Sequence, residues 1–450
     1  MFHRVFIANR GEVAARLVRA CRDMGIDPVC AASEPDLAAG FPYLEQAAEV
    51  ICLGPGAATD SYLKMEEVVQ AARQSHCTAL HPGWGFLAEN SLFAALCEQH
   101  GIKFIGPSPA VMDQMGLKVA ARAAASAAGL PVVPGSDGML NSVEEAVTMA
   151  ESIGFPVVLK ADAGGGGRGI RRCDSSDEIK EAFVSAARES LAAFGNGDLY
   201  MEKYLVGGRH IEFQVIGDGR GNAIHLGERE CSIQRRHQKL LEEAPSPALT
   251  AEQRDYYGGL SAAATAQWKY AGVGTMEYLL ADDGKLYFLE MNTRLQVEHP
   301  VTECITGIDL VQTQIRIAAG EGLPCKQEDV QWNGHAIEVR LNAEDPEQDF
   351  RPAPGRLEKF DLPELDGVRV DSHLTSGSKI PPHYDSLIAK IIAHGSDRAA
   401  ATKIMLKALE QTKIEGVPTT ADLHRRILSC EDFQNGAFDT LWLTEFLERS

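Results

Sequence analysis

Over the first quarter of the chain, short apolar runs alternate with helical periodicities. Residues 5–8 read as a strand, and Val13, Leu17, Val18 and Cys21 then recur on one helical face. Residues 28–32, 49–53, 78–81 and 103–105 continue the strand series, with helices between. This alternation predicts an α/β unit with a parallel, doubly wound sheet. A helix over 117–128, ended by Gly129-Leu130-Pro131, leads out of it. The pattern then becomes mixed: a helix near 142–152, a strand at 156–160, a glycine-rich loop, a strand at 169–172, a helix near 176–192 and a strand at 199–204. That mixture predicts a compact α+β insert. Residues 210–300 read as richer in antiparallel strands. The remainder opens with a strand at 335–342 and closes with amphipathic helices near 397–411 and 420–428.

The densest chemical signal lies between Gly274 and Arg294. Two apolar runs flank Asp283-Gly284, which predicts a hairpin with a two-residue turn. On that reading Glu277 stands directly opposite Glu290, and Glu290, Asn292 and Arg294 share one face. Carboxylates paired at roughly 5 Å between Cβ atoms repel unless something neutralises them. Mg²⁺ suits the position, since it takes oxygen ligands from one or two carboxylates together with substrate phosphates. Asn292 adds a further oxygen. A solvated strand face carrying ordinary charges is the competing reading, and a three-residue loop would shift the register.

A phosphate site is placed at Lys160-Ala-Asp-Ala-Gly-Gly-Gly-Gly-Arg-Gly169, where successive backbone N–H groups can converge on an anion. No Gly-Lys-Ser/Thr follows, so this is not a Walker A loop. Flanked by strands, it reads as a hairpin lid, with a flexible linker as the alternative. Lys118 and Lys160 supply point charges for phosphates. Met201-Glu-Lys-Tyr-Leu205 suits an adenine edge read by backbone groups.

Composition narrows the classes. The 450 residues suffice for two or three domains, and no run nears the roughly 18 apolar residues of a membrane span. A net charge of −20 disfavours nucleic acid and anionic lipid as partners, yet leaves room for a locally basic cleft. The ten cysteines form no CxxC pair, which argues against zinc, and so large a chain does not call for a disulfide framework. The opening MFHRVFIANRGE lacks a secretory pattern, so a cytoplasmic location is expected.

Lys118, Lys160, the glycine loop, MEKYL and the Glu277/Glu290/Asn292 set together resemble the ATP-grasp superfamily. Within it the chain resembles the biotin carboxylases, through FIANRGE at 6–12, HPGWGFLAEN at 81–90, RHIEFQV at 209–215, ERECSIQRRHQKLLEEAP at 228–245, EMNTRLQVEHPVTE at 290–303, GHAIEVRLNAEDP at 334–346 and PPHYDSLIAK at 381–390. The resemblance spans essentially the whole chain. It implies an N-terminal doubly wound domain (1–115), a central ATP-grasp domain (116–330) with a mobile lid at about 131–204, and a C-terminal biotin carboxylase domain (331–450). It further implies ATP contacts at Lys118, Lys160, Gly166, Gly167, Glu202, Lys203, Tyr204, Leu205, His210, Gln234, His237, Glu277 and Glu290. Glu277, Glu290 and Asn292 would bind Mg²⁺ or Mn²⁺. Lys239, Arg294, Gln296 and Val297 would bind bicarbonate. Glu298, beside Arg294 and Lys239, looks like the base, and Arg340 like the biotin-side residue. Arg294, Glu298, Lys239 and Arg340 form the implied catalytic set.

The implied reaction is ATP-dependent carboxylation of biotin from bicarbonate through carboxyphosphate, as the first half-reaction of an acetyl-CoA or other acyl-CoA carboxylase. No Ala-Met-Lys-Met motif occurs, so the biotin is expected on a biotin carboxyl carrier protein or on sequence not in hand. Carboxyltransferase subunits and a second copy of the chain are the other implied partners. The group that deprotonates biotin is left open, released phosphate being one candidate. Trp84 stands where the family usually has Tyr, Ala163 where a further glycine often begins the loop, and Leu117 where an acidic residue is frequent. A different ATP-grasp ligase and an inactive nucleotide-binding protein are the competing classes.

Overall fold

The computed structural model describes residues 1–162 and 169–449. Gly166, Gly167 and Ala163 lie outside those residues.

The N-terminal unit is a five-stranded parallel sheet in the order β3-β2-β1-β4-β5, built from β1 (Arg4–Ile7), β2 (Asp27–Ala32), β3 (Glu49–Cys52), β4 (Ala79–His81) and β5 (Lys103–Phe104). Alternation along β1 explains the double winding. Val5 and Ile7 pack with Val13, Leu17, Val18 and Cys21 of helix α1 (Gly11–Asp23), while Phe6 joins Val68, Ala72, Phe93 and Cys97 on the other side. The expected helix out of this unit is α2 (Lys118–Ala127).

The predicted insert is a three-stranded antiparallel sheet, β7-β6-β8, formed by β6 (Val157–Ala161), β7 (Ile170–Cys173) and β8 (Leu199–Lys203). Helices Val143–Ile153 and Ser176–Phe194 back it over a small core that includes Val157, Leu159, Cys173, Ile179 and Met201.

The main sheet has eight antiparallel strands in the order β13-β12-β9-β10-β11-β14-β16-β15. They are β9 (Arg209–Asp218), β10 (Ala223–Arg235), β11 (Gln238–Ala244), β12 (Ala271–Leu280), β13 (Leu286–Asn292), β14 (His335–Asn342), β15 (Val368–Ser372) and β16 (Leu387–Gly395). Helix α3 (His299–Thr306) covers one face near β14, where Val301 and Ile305 meet Ala244, Ala336 and Ile392. Helix α4 (Arg398–Gln411) covers the other, with Ala401 and Met405 in one core with Ile337, Val339 and Ile391. The reading of 210–300 as richer in antiparallel strands holds, but it did not include the helix Ala251–Gln267, whose start is fixed by a capping box between Thr250 and Gln253.

The expected two-residue hairpin turn is corrected. The Ala281 N–H donates to the Lys285 carbonyl at 3.0 Å, and the Gly284 N–H to the Ala281 carbonyl at 2.9 Å. The loop is therefore three residues long, with Gly284 in the left-handed region at φ 77°. That slips the register by one at Tyr278–Phe288. Leu289 then sits in a bulge, the register recovers, and Glu277 faces Glu290 after all.

Candidate active site

Strand β9 carries His210, Glu212 and Gln214 at alternate positions, so all three face one side. In the register, Glu212 is paired with Glu277 on β12 and with Arg229 on β10, while Glu277 is paired with Glu290 on β13. Three glutamates thus line up across adjoining strands, which costs heavily unless cations intervene. Two cations do so. Arg229, fully buried, places Nε 2.6 Å from Glu212 Oε1, and its other donors go to Gln214, Thr275, Gln296 and Thr302. Lys239 on β11 places Nζ 2.6 Å from Glu212 Oε2, 3.2 Å from Glu277 Oε1 and 2.6 Å from Glu298 Oε1. Burial would lower the Lys239 ammonium, but these three carboxylates hold it well above its usual range.

Glu298 stands at the N-cap position of α3, and its side chain, free of any capping bond, is divided between two cations: Oε1 takes Lys239, and Oε2 accepts from Arg340 Nη2 at 2.9 Å. Burial pushes its carboxyl upward, yet Lys239, Arg340 and Arg229 outweigh that and keep it well below the usual carboxylate range. Arg340 is held from behind by Glu242, whose Oε1 accepts from Nε at 2.7 Å. Arg294 shares the cleft with Glu298; against the cost of burial, that charge helps to raise its guanidinium after Glu89, but Arg294 makes its own bonds elsewhere. It donates to Glu89 Oε2 at 2.9 Å and to Asn292 Oδ1 at 2.8 Å, because it leaves β13 toward the N-terminal unit.

The two glutamates of the hairpin differ. Glu277 Oε1 accepts from Asn292 at 2.8 Å and Gln296 at 2.9 Å, and Oε2 lies 3.1 Å from His210 Nε2. Against the cost of burial, Lys239 and His210 hold it below the usual range. For Glu290, desolvation within the cleft, then the charge on Glu277, push the carboxyl up, and Lys118 acts against them. A carboxylate open to the cleft and crowded by a second fits a divalent cation. His210 is braced by Gln234, whose Nε2 lies 3.1 Å from Nδ1.

Lys118, Lys160, His210, Gln234, His237, Lys239, Glu277, Glu290, Asn292, Arg294, Gln296, Val297, Glu298 and Arg340 line a single cleft of about 1380 Å³. His237 reaches it from the β10–β11 turn, where it and Arg236 both adopt positive φ. Val297 turns its carbonyl away, accepting from Lys390 Nζ at 2.8 Å. Residues 202–205 are not among the described lining residues. Glu202 is buried behind Lys160, which donates to it, and takes Arg122 Nη1 at 3.0 Å. Lys203 Nζ donates to the carbonyls of Gly154 and Phe155, while the backbone N–H groups of Lys203 and Tyr204 go to Pro134 and Pro156. The segment thus directs those donors to residue 134 and to residues 154–156. Its Leu205 lies two residues beyond the end of β8.

Sequence reasoning missed Glu212, Arg229, Glu242 and Glu89 as parts of this site. The alternation His210-x-Glu212-x-Gln214 was the available signal for the first, since it places three polar groups on one face of a strand that is otherwise apolar.

Three family models cover the chain: "Biotin carboxylase, N-terminal domain" matches residues 1–112, "Carbamoyl-phosphate synthase L chain, ATP binding domain" matches 118–326, and "Biotin carboxylase C-terminal domain" matches 338–445. A biotin carboxylase of Nostoc sp. is 49% identical over 444 residues, 99% of each chain. The biotin carboxylase domain of Hydrogenobacter thermophilus 2-oxoglutarate carboxylase, solved as a dimer with MgADP, ADP and bicarbonate, superimposes with a TM-score of 0.93 at 50% identity, over 99% of this chain and 98% of that one. A Campylobacter jejuni biotin carboxylase in complex with a β,γ-ATP compound gives 0.95 at 43% identity, over 99% of both.

Proposed function

The chain belongs to the biotin carboxylase family, and from that premise we propose that it is a ligase that carboxylates carrier-borne biotin with MgATP and bicarbonate. Bicarbonate is a weak nucleophile and a weak electrophile. Phosphorylation gives carboxyphosphate, which breaks down to carbon dioxide and phosphate beside the biotin. The observation that carries this reading is Glu298 pinned between Lys239 and Arg340 at the cleft floor. Already ionised, Glu298 accepts the bicarbonate proton as the oxygen attacks phosphorus. Lys239 and Arg294 hold the one-carbon anion, with Gln296 and Val297 beside it. Arg340 steadies the negative oxygen that develops on the ureido group of biotin.

Lys118, Lys160, Gly166 and Gly167 would meet the phosphates. Residues Glu202, Lys203, Tyr204 and Leu205, together with His210, Gln234 and His237, would hold the rest of the nucleotide. Glu277, Glu290 and Asn292 would hold Mg²⁺, with Mn²⁺ as the alternative; the ion supplies charge neutralisation on the phosphates when bound.

The finer proposal is acetyl-CoA as the final acceptor, reached through a biotin carboxyl carrier protein and carboxyltransferase subunits, by a cytoplasmic homodimer. The Nostoc relative, matched over 99% of each chain, is itself named a biotin carboxylase, which supports biotin as the acceptor in this half-reaction. The matching domain of a 2-oxoglutarate carboxylase supports a keto acid as the competing acceptor. Among the described residues no helix is long and apolar enough to cross a membrane.

Purified protein is expected to hydrolyse MgATP only with bicarbonate present, and faster when free biotin is added. Nucleotide binding by calorimetry without either dependence would refute the proposal.

A further inference from the structure

Arg340 has one anchor in front, Glu298, and one behind, Glu242, and the second leads to a group that the reaction leaves unused. Glu242 on β11 stands directly opposite Glu338 on β14, and Arg340 lies two residues beyond Glu338 on the same face. Both glutamates are fully buried. Arg340 takes Glu242 Oε1, but no donor among the described residues reaches Glu242 Oε2 or either oxygen of Glu338. Directly opposed side chains have Cβ atoms roughly 5 Å apart, and two carboxylates at that spacing, away from water and with three oxygens lacking a donor, cannot both stay ionised.

The neighbouring charges do not resolve the conflict. Lys390 on β16 is paired with Arg340 in the register, but its Nζ donates to the Val297 carbonyl and lies 3.2 Å from Glu12 on α1. The start of α3 brings Glu298, already shared by Lys239 and Arg340, and His299, which burial keeps neutral. Asp371 on β15 is matched by Arg369. Every cation close by therefore has another carboxylate partner, and one proton is what can satisfy the orphaned oxygens. We propose that Glu242 and Glu338 share a single proton and act as one positioning unit that aims the Arg340 guanidinium toward biotin. The proton resides on Glu338 and is donated to Glu242 Oε2, which leaves one full negative charge on the side that Arg340 grips. Burial points the same way, raising Glu338 well above the usual carboxylate range and Glu242 to about 7. Loss of the proton at alkaline pH would leave two repelling carboxylates that draw Arg340 back from Glu298.

The inference rests on Arg340 facing biotin, so its test separates the two. In the full chain, with free biotin as the probe, Glu338→Gln keeps a donor toward Glu242, whereas Glu338→Leu provides none. The Leu variant is expected to lower the biotin-stimulated kcat by about tenfold with the KM for ATP unchanged. The Gln variant is expected to restore the rate near neutral pH and to abolish the alkaline decline of the biotin-stimulated rate. Infrared difference spectra of wild type against Glu338→Gln add a readout that does not depend on turnover: the carbonyl stretch of a protonated acid, present in wild type only. Absence of that band, or equal losses and identical pH profiles in the Gln and Leu variants, would overturn the proposal. A full biotin-stimulated rate in Arg340→Gln with the band still present would instead count against Arg340 as the biotin-side residue.

Discussion

Glu242 and Glu243 are neighbours on one strand, equally buried, and face opposite sides of the main sheet. On the α4 side, Glu243 meets three donors: His335 Nε2 at 2.7 Å, Arg398 Nε at 2.6 Å and Arg398 Nη2 at 2.9 Å. Burial would raise its carboxyl, yet these hydrogen bonds hold it below the usual range. On the α3 side, Glu242 meets one arginine and a second glutamate, and burial carries it to about 7 despite Arg340. One face is complete as folded. The other keeps its acids short of donors and its cations shared, which is the state that an arriving anion or ureido group can change. Stability and function are thus separated across the thickness of one sheet.

The largest effects belong on the functional side. Lys239→Gln and Glu298→Gln are each expected to cut turnover by at least about 10²-fold in steady-state assays of biotin-dependent ATP hydrolysis. Near-normal rates in both would erase the contrast. On the structural face, Glu243→Gln is expected to cost about 3 kcal/mol, because it leaves Arg398 without its buried counter-charge. The folded carboxyl of Glu243 sits below its unfolded value, so its stabilisation is complete above the ordinary carboxylate range and is lost as pH falls through the folded value. Denaturant melts should therefore show a wide gap between wild type and variant at neutral pH that closes on acidification; a gap indifferent to pH would break the comparison. The smallest effect is placed on the three-stranded sheet, where Lys160 rests on Glu202. Lys160→Gln is expected to raise the KM for ATP about tenfold while leaving that for bicarbonate unchanged.

How much could be read from the chain follows the same division. The N-terminal sheet was legible because its signal is local: alternating apolar runs with turn residues between them. The glutamate pair was legible although the turn was misread, since an extra loop residue and the Leu289 bulge offset one another. What stayed hidden were charged groups buried in strands. The segment AIHLGERECSIQR reads as half polar, yet nearly all of it is buried. Arg229 is balanced by Glu212 and Gln296, and Glu242 by Arg340, partners supplied from other strands or from well along the chain. No periodicity encodes such a match. The partner of Arg294, Glu89 of the N-terminal unit, was hidden for the same reason.

The main sheet runs unbroken from β11 to β14 through four register pairs, Leu241 with Val339 to Ala244 with Ala336. The seam between two hereditary modules, matched at 118–326 and 338–445, is therefore no seam in the folded body. A protease cut between residues 327 and 334 would leave two fragments zipped edge to edge, and a cassette exchanged at that point would arrive with a raw strand edge to heal.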